Sequence, residues 1–322
     1  MALIYVGIDE AGYGPMLGPL CVGAAVFRVE RWRVGEAAPD LWGLLSRGVC
    51  RGVKDARGRV AVADSKKLKL SNQLKTKHPL THLERGVLSF LVAAGQEAWD
   101  ERGLCERVGA RFEDAPWYAQ AAEALPVSTG ADQIRISGNV VRDAMREGGV
   151  ELLGLKCLTI CEGRFNGLLE ARRSKAAVVG EAVGALMRGA LEKFGGQGAA
   201  VRLACDRQSG RTDYGEIVRG VLGEGYETLE QSPRASRYAA CDGDVGVIFE
   251  PEAEDRRLPV ALASMTAKYV RELAMARFNR YWSGRAPELK PTAGYVTDAR
   301  RWLRDASGVV TVAERARMVR KA

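Results

Sequence analysis

Three apolar, β-branched runs in this chain end directly in carboxylates, and that feature limits the folds open to it more than any other. Leu3 to Ile8 runs into Asp9 and Glu10, Ala199 to Cys205 into Asp206, and Val245 to Phe249 into Glu250, Glu252, Glu254 and Asp255. Runs of this length, bounded by turn residues, read as buried strands. A fourth, Leu20 to Val29, follows a loop containing Gly12, Gly14, Pro15, Gly18 and Pro19, so the first two strands are expected to pair as antiparallel neighbours. If the acid-bearing strands are neighbours too, their carboxylates meet at one edge of a sheet. Clustered carboxylates repel and are costly to desolvate, so such a set commonly serves to hold a hard cation such as Mg²⁺ or Mn²⁺. Each acid taken singly also fits a turn or helix-cap role, and the pattern alone leaves both readings open.

Helical spacing is clearest from Val178 to Phe194, stopping at Gly195 and Gly196, and from Leu262 to Trp282. In the second helix Ala263, Ala267, Val270, Leu273 and Ala274 are expected to point inward, with Lys268, Arg271 and Arg277 facing solvent or a ligand. Phe278 and Trp282 are expected in the core. Strands alternating with helices predict an α/β fold. The 322 residues exceed one ordinary domain. The excess reads as insertions, 30–60 and 71–154, in a single domain spanning 1–322, with a small second domain between about Leu70 and Gly154 as the alternative. Residues 268–322 read as a basic helical C-terminal part.

Composition excludes several classes. With 47% hydrophobic and 27% charged residues the chain is an ordinary globular one. The run before Asp9 is too short for a signal peptide, and glycines and prolines interrupt Ala11 to Phe27, the longest uncharged stretch, so no membrane partner is expected. Seven scattered cysteines without a CxxC pair suggest reduced thiols and a cytoplasmic location. His78 and His82, separated by Pro79, read as surface or helix-start residues rather than metal ligands. The net charge is +8, and Pro251 to Ala322, with 15 basic against 8 acidic residues, carries a net +7 of it. Phe278, Tyr281, Trp282, Tyr295 and Trp302 are interleaved there, a combination that suits nucleic acid as well as a solvated basic face over an aromatic core. Asp64-Ser65-Lys66-Lys67-Leu68 places a hydroxyl beside two ammonium groups, which suits phosphate contact or a solvated loop. The Gly12 to Gly18 loop lacks the spacing and the Lys-Ser/Thr of a P-loop.

Taken together, these motifs resemble the type 2 ribonuclease H family. Gly7-Ile8-Asp9-Glu10-Ala11-Gly12-Tyr13-Gly14-Pro15 resembles its DEAGRGP signature, and Asp64 to Leu68 matches its DSKKL element. Ala263-Ser264-Met265-Thr266-Ala267-Lys268 resembles its AASxxAK helix, and Gly294-Tyr295-Val296-Thr297 with Arg301-Trp302-Leu303 its GYPSD…WL segment. The likeness covers about half the chain. It implies a ribonuclease H-like mixed sheet flanked by helices, with insertions and a C-terminal helical extension. It also implies metal-dependent hydrolysis of the RNA strand of RNA/DNA hybrids, or at single ribonucleotides in duplex DNA, leaving 5′-phosphate and 3′-hydroxyl.

By that resemblance Asp9, Glu10, Asp206 and Glu254 are the catalytic metal ligands of a two-metal Mg²⁺ or Mn²⁺ site, with Asp255 as the alternative to Glu254. Gly12, Tyr13 and Gly14 would read the ribose 2′-hydroxyl, Tyr295 would pack on the sugar, and Lys66, Ser264 and Lys268 would hold phosphates. Three departures stand out: Tyr13 replaces the family's arginine, Glu254 replaces an Asp, and the spacing from Asp64 to Asp206 is long. They leave two other readings, a nucleic-acid-binding protein that has lost turnover and a DNA-directed nuclease of the same fold.

Overall fold

Val, Ile and Leu crowd the first strands because both faces of those strands are covered. In the computed structural model, which describes residues 2–196, 198–208 and 210–321, the strands are β1 (Ala2–Ala11), β2 (Leu20–Val29), β3 (Val49–Cys50), β4 (Val60–Ala61), β5 (Val150–Ile160), β6 (Ala199–Asp206), β7 (Tyr226–Gln231), β8 (Ser236–Ala240) and β9 (Val245–Glu250). The helices before β6 are α1 (Leu41–Leu44), α2 (Ser65–Leu68), α3 (Thr81–Ala93), α4 (Glu101–Val108), α5 (Ala131–Gly148), α6 (Glu162–Arg172) and α7 (Lys175–Phe194). Those after it are α8 (Gly215–Leu222), α9 (Ala253–Arg256), α10 (Leu258–Arg285), α11 (Val296–Asp305) and α12 (Val312–Met318).

Seven strands form one mixed sheet in the order β5-β2-β1-β6-β9-β8-β7, and β3 and β4 pair separately. The β1–β2 pair is antiparallel, as expected, whereas β1–β6 and β6–β9 are parallel. The architecture is therefore α/β, a mixed sheet flanked by helices. On one face Ile4, Val6 and Ile8 pack with Val178, Val179, Val183 and Met187 of α7. On the other, Leu3, Tyr5 and Phe27 pack with α10 and with Leu83, Val87 and Phe90 of α3 and Ile134 and Val141 of α5. Each fully buried Val, Leu or Ile contributes about 1.5–3 kcal/mol by this transfer from water.

Two strand glycines set how closely α10 lies on the sheet. A Cβ on Gly7 would stand 2.0 Å from the Pro259 carbonyl carbon, and one on Gly23 would stand 2.2 Å from the Ala263 oxygen. No side chain fits at either place, so the helix backbone rests directly on β1 and β2. That contact carries Ser264 and Lys268 to the acid-bearing end of β1.

The expected elements are present with altered ends: α7 begins at Lys175, and α10 runs from Leu258 to Arg285. Sequence patterning missed β5, β7 and β8. In β5, Glu151 and Lys156 occupy exposed positions within an otherwise apolar strand. The β7–β8 hairpin ends the sheet, and β7 (YETLEQ) exposes four of its six residues, so no apolar run marks it. Two side chains of α10 are corrected. Arg271 and Arg277, expected to face solvent or a ligand, are buried: Arg277 Nε donates to Glu101 Oε2 at 2.7 Å, and Arg271 lies beneath the Gly12–Gly18 loop. Other elements pack over this part of α10, so Arg271 and Arg277 are enclosed, whereas Arg280 and Arg285 nearer its end stay exposed. Phe278 and Trp282 join a third cluster with Trp117 and Trp302, as expected. All seven cysteines are free. Among the described residues, no helix is long and apolar enough to cross a membrane.

Candidate active site

Parallel pairing of β1 with β6 places Ile8 opposite Cys205. The residues that follow, Asp9 and Asp206, therefore emerge side by side at one end of the sheet, with Glu10 next to them. β9 reaches the same end beside β6, Asp206 pairing with Glu250. The chain then reverses through Glu252, whose φ of 53° is left-handed, into the short α9. This turn lays Ala253 and Glu254 over Asp206, and the Ala253 N–H donates to Asp206 Oδ1 at 3.0 Å. Asp9 is held by the Glu10 N–H at 2.7 Å.

Asp9, Glu10, Asp206 and Glu254 line one cavity of about 180 Å³. Its other walls include Gly12, Tyr13, Gly14, Lys66, Ser264, Lys268 and Tyr295, so each candidate residue named from sequence reaches this cavity except Asp255. Asp255 instead pairs with Lys67 at 2.7 Å on the surface. Glu250 also points elsewhere, to Arg257 and the Tyr5 side of the sheet. Asp64 caps α2 by accepting from Lys66 N at 2.9 Å, which fixes Ser65 and Lys66 at the cavity wall. The Ser264 hydroxyl donates to Ser65 Oγ at 3.0 Å. Lys268 pairs with Glu272 at 2.7 Å and lies 5.6 Å from the centre of the Tyr295 ring. Tyr13 and Tyr295 are exposed at the mouth.

The electrostatics follow from crowding four acids at a buried strand end. Burial, then the neighbouring charges of Glu10 and Asp206, raise Asp9 well above the usual carboxylate range. Burial and the Asp206 charge push Glu10 to about 7 and Glu254 to about 7, and burial raises Asp206 as well. One Glu254 oxygen, Oε2, is buried without a hydrogen-bond partner among the described residues. Such a site favours any cation that neutralises it. Among the described residues, no three His, Cys, Asp or Glu side chains already surround one point as a finished metal site. The acids line a common cavity, and closing around a shared ion would take side-chain rotation within it.

Ser65, whose hydroxyl the sequence marked as suited to phosphate contact, also lines the cavity; sequence reasoning missed Glu272 as the partner of Lys268, although the four-residue spacing from Lys268 marks that pair. It also missed Glu162, Arg271 and Arg320 beneath the Gly12–Gly18 loop, for which no local signal exists.

No protein-family model matches the chain, and no curated protein matches it by sequence. Solved structures with a similar arrangement include ribonuclease HII from Archaeoglobus fulgidus in complex with PCNA. That match has 16% identity and a TM-score of 0.46, covering 98% of this chain and 93% of that one. Ribonuclease H2 from Pyrococcus horikoshii matches at 14% identity and a TM-score of 0.42, covering 95% of this chain and 86% of that one. Bst-RNase HIII in complex with Mn²⁺ matches at 14% identity and a TM-score of 0.41, covering 99% of this chain and 66% of that one.

Proposed function

We propose that this chain is a metal-dependent endoribonuclease of the type 2 ribonuclease H kind. Its substrate would be the RNA strand of an RNA/DNA hybrid or a single ribonucleotide within duplex DNA. The observation that carries this reading is the shared cavity. Four carboxylates from β1, β6 and α9 share it with the Gly12–Gly14 backbone, two lysines and an exposed tyrosine.

The donor set suits a hard divalent cation. All four groups are carboxylates, they resist ionising together, and one Glu254 oxygen is buried without a partner. Asp9, Glu10, Asp206 and Glu254 would hold two Mg²⁺ or Mn²⁺ ions. When bound, such ions activate water and offset charge on the departing 3′ oxygen. The protein's own groups do the rest. Lys66, Ser264 and Lys268 face the phosphodiester, and Tyr295 offers a face for the sugar. The Gly12, Tyr13 and Gly14 backbone approaches the 2′-hydroxyl, the group that distinguishes RNA from DNA.

The assay supplies an RNA/DNA hybrid and, separately, a duplex with one ribonucleotide, each with Mg²⁺ or Mn²⁺. Absence of cutting at high enzyme concentration sinks the reading, and retained duplex binding in that case favours a binding protein without turnover. Glu254 and Asp255 are separated by the same assay. Glu254→Gln is expected to lower kcat by about 10²-fold or more, the scale of losing one charge-stabilising group. Asp255→Asn removes only an exposed ion pair, worth about 0–1 kcal/mol, and is expected to leave kcat within about threefold. The reverse order of effects would assign the fourth carboxylate to Asp255.

A further inference from the structure

The Gly12–Gly18 loop is held from beneath by groups that the cleavage reading leaves unused. Arg320, which follows α12, donates from Nη1 to the Gly12 carbonyl at 2.6 Å and from Nη2 to the Tyr13 carbonyl at 2.9 Å. Its own N–H donates to the Met16 carbonyl at 2.8 Å. Farther along, Arg271 donates to the Leu17 carbonyl at 3.0 Å, Glu162 accepts from the Gly18 N–H at 3.0 Å, and the Gly294 carbonyl accepts from Met16 and Leu17. Pro15 has no N–H. The N–H groups of Tyr13 and Gly14 meet no acceptor among the described residues, and both residues line the cavity.

Peptide geometry gives these two donors a direction. In a trans peptide the N–H points opposite to the carbonyl of the preceding residue. Arg320 draws the Gly12 and Tyr13 carbonyls inward, so the N–H groups of Tyr13 and Gly14 turn outward, toward the cavity. Holding a guanidinium there is costly. Arg320 is 2% exposed, and burial, then the Arg271 charge, lower its pKa to about 10. Its hydrogen bonds to the loop and the Phe165 ring 4.2 Å away offset that cost. Asn166 fixes the segment from both sides, donating to the Val319 carbonyl at 2.9 Å and accepting from the Lys321 N–H at 2.7 Å.

We propose that Arg320 is a positioning residue that fixes the Tyr13 and Gly14 N–H groups as a paired donor for the ribose of the substrate strand. The identity of that ligand rests on the ribonuclease reading; the clamp itself does not.

Amide hydrogen exchange of the metal-free protein tests the clamp without turnover. Arg320→Gln is expected to speed exchange of the Met16 and Leu17 amides, which the Gly294 carbonyl holds, by about 10-fold or more, the scale of losing charge-assisted hydrogen bonds. Arg320→Lys, which keeps the charge without the two-pronged geometry, is expected to fall between. Asn166→Ala loosens the segment without touching the loop and is expected to act in the same direction more weakly. A duplex with one ribonucleotide and its all-DNA counterpart then test the ligand. In Arg320→Gln the preference for the ribonucleotide is expected to fall about 10-fold through KM, with all-DNA affinity within twofold of the parent. Unchanged exchange in Arg320→Gln overturns the clamp. A loosened loop with undiminished preference overturns its role in recognition. Absence of any preference in the parent overturns the ribonuclease reading and with it the ligand assignment, while exchange still decides whether Arg320 sets the loop.

Discussion

Asp9→Asn and Asp206→Asn are each expected to abolish metal-dependent cleavage, by about 10²–10³-fold at least, while leaving the metal-free protein folded. Both side chains emerge together from the parallel β1–β6 pair, and no other acid of the cavity occupies that position. Asn keeps the size of Asp and removes the charge that a cation needs. On the proposed function the loss falls in kcat, because the acids would serve the reaction centre rather than the binding of a long duplex. Duplex affinity measured alongside should stay near that of the parent. Full activity in either variant would show that the four-carboxylate cavity is not where cleavage occurs.

The second large effect is on stability. Burial and the Asp206 charge raise Glu10 from its ordinary 4.5 to about 7. A carboxyl that is harder to ionise when folded favours the folded state below 4.5, and that advantage is lost as pH rises through about 7. At pH 8 the folded, metal-free protein therefore carries a carboxylate it would rather protonate. Each pKa unit corresponds to about 1.4 kcal/mol, so Glu10→Gln is expected to stabilise the metal-free protein by about 2–3 kcal/mol at pH 8. Well below pH 4.5, where Glu10 is protonated folded or unfolded, the two should be nearly equal. The difference at pH 8 would appear as a rise in Tm of roughly 4–8 °C. Mn²⁺ or Mg²⁺ at about 100 times its Kd is expected to stabilise the parent by about 2.7 kcal/mol, and the variant by less. A parent whose Tm at pH 8 does not respond to either cation, or a Glu10→Gln variant less stable than the parent there, would contradict the electrostatic account of the cavity.

Much of this site could be read from residues because it is built from strand ends. β1 shows its apolar face pattern and its two acids within nine residues, and β6 ends in Asp206 in the same manner. After β9 the pattern offered Glu250, Glu252, Glu254 and Asp255 alike, and only the family resemblance singled out Glu254, since α9 is four residues long and carries no periodicity. The hairpin β7–β8 escaped because an edge strand exposed to water needs no apolar run. Arg271 and Arg277 were misplaced for a related reason. Helical spacing tells which residues share a face, but not that α4 covers Arg277 and the Gly12–Gly18 loop covers Arg271. Arg320 lies beyond any local signal, for its carbonyl partners stand 308 and 307 residues away in the chain.

The most direct test compares two duplexes of one sequence, one all DNA and the other with a single ribonucleotide, incubated with the parent protein and Mn²⁺ or Mg²⁺, with product ends mapped. Cutting is expected only beside the ribonucleotide and only with the cation, with products bearing 5′-phosphate and 3′-hydroxyl. Equal cutting of the all-DNA duplex, cutting that survives removal of the cation, or no cutting at high enzyme concentration would contradict the proposed function.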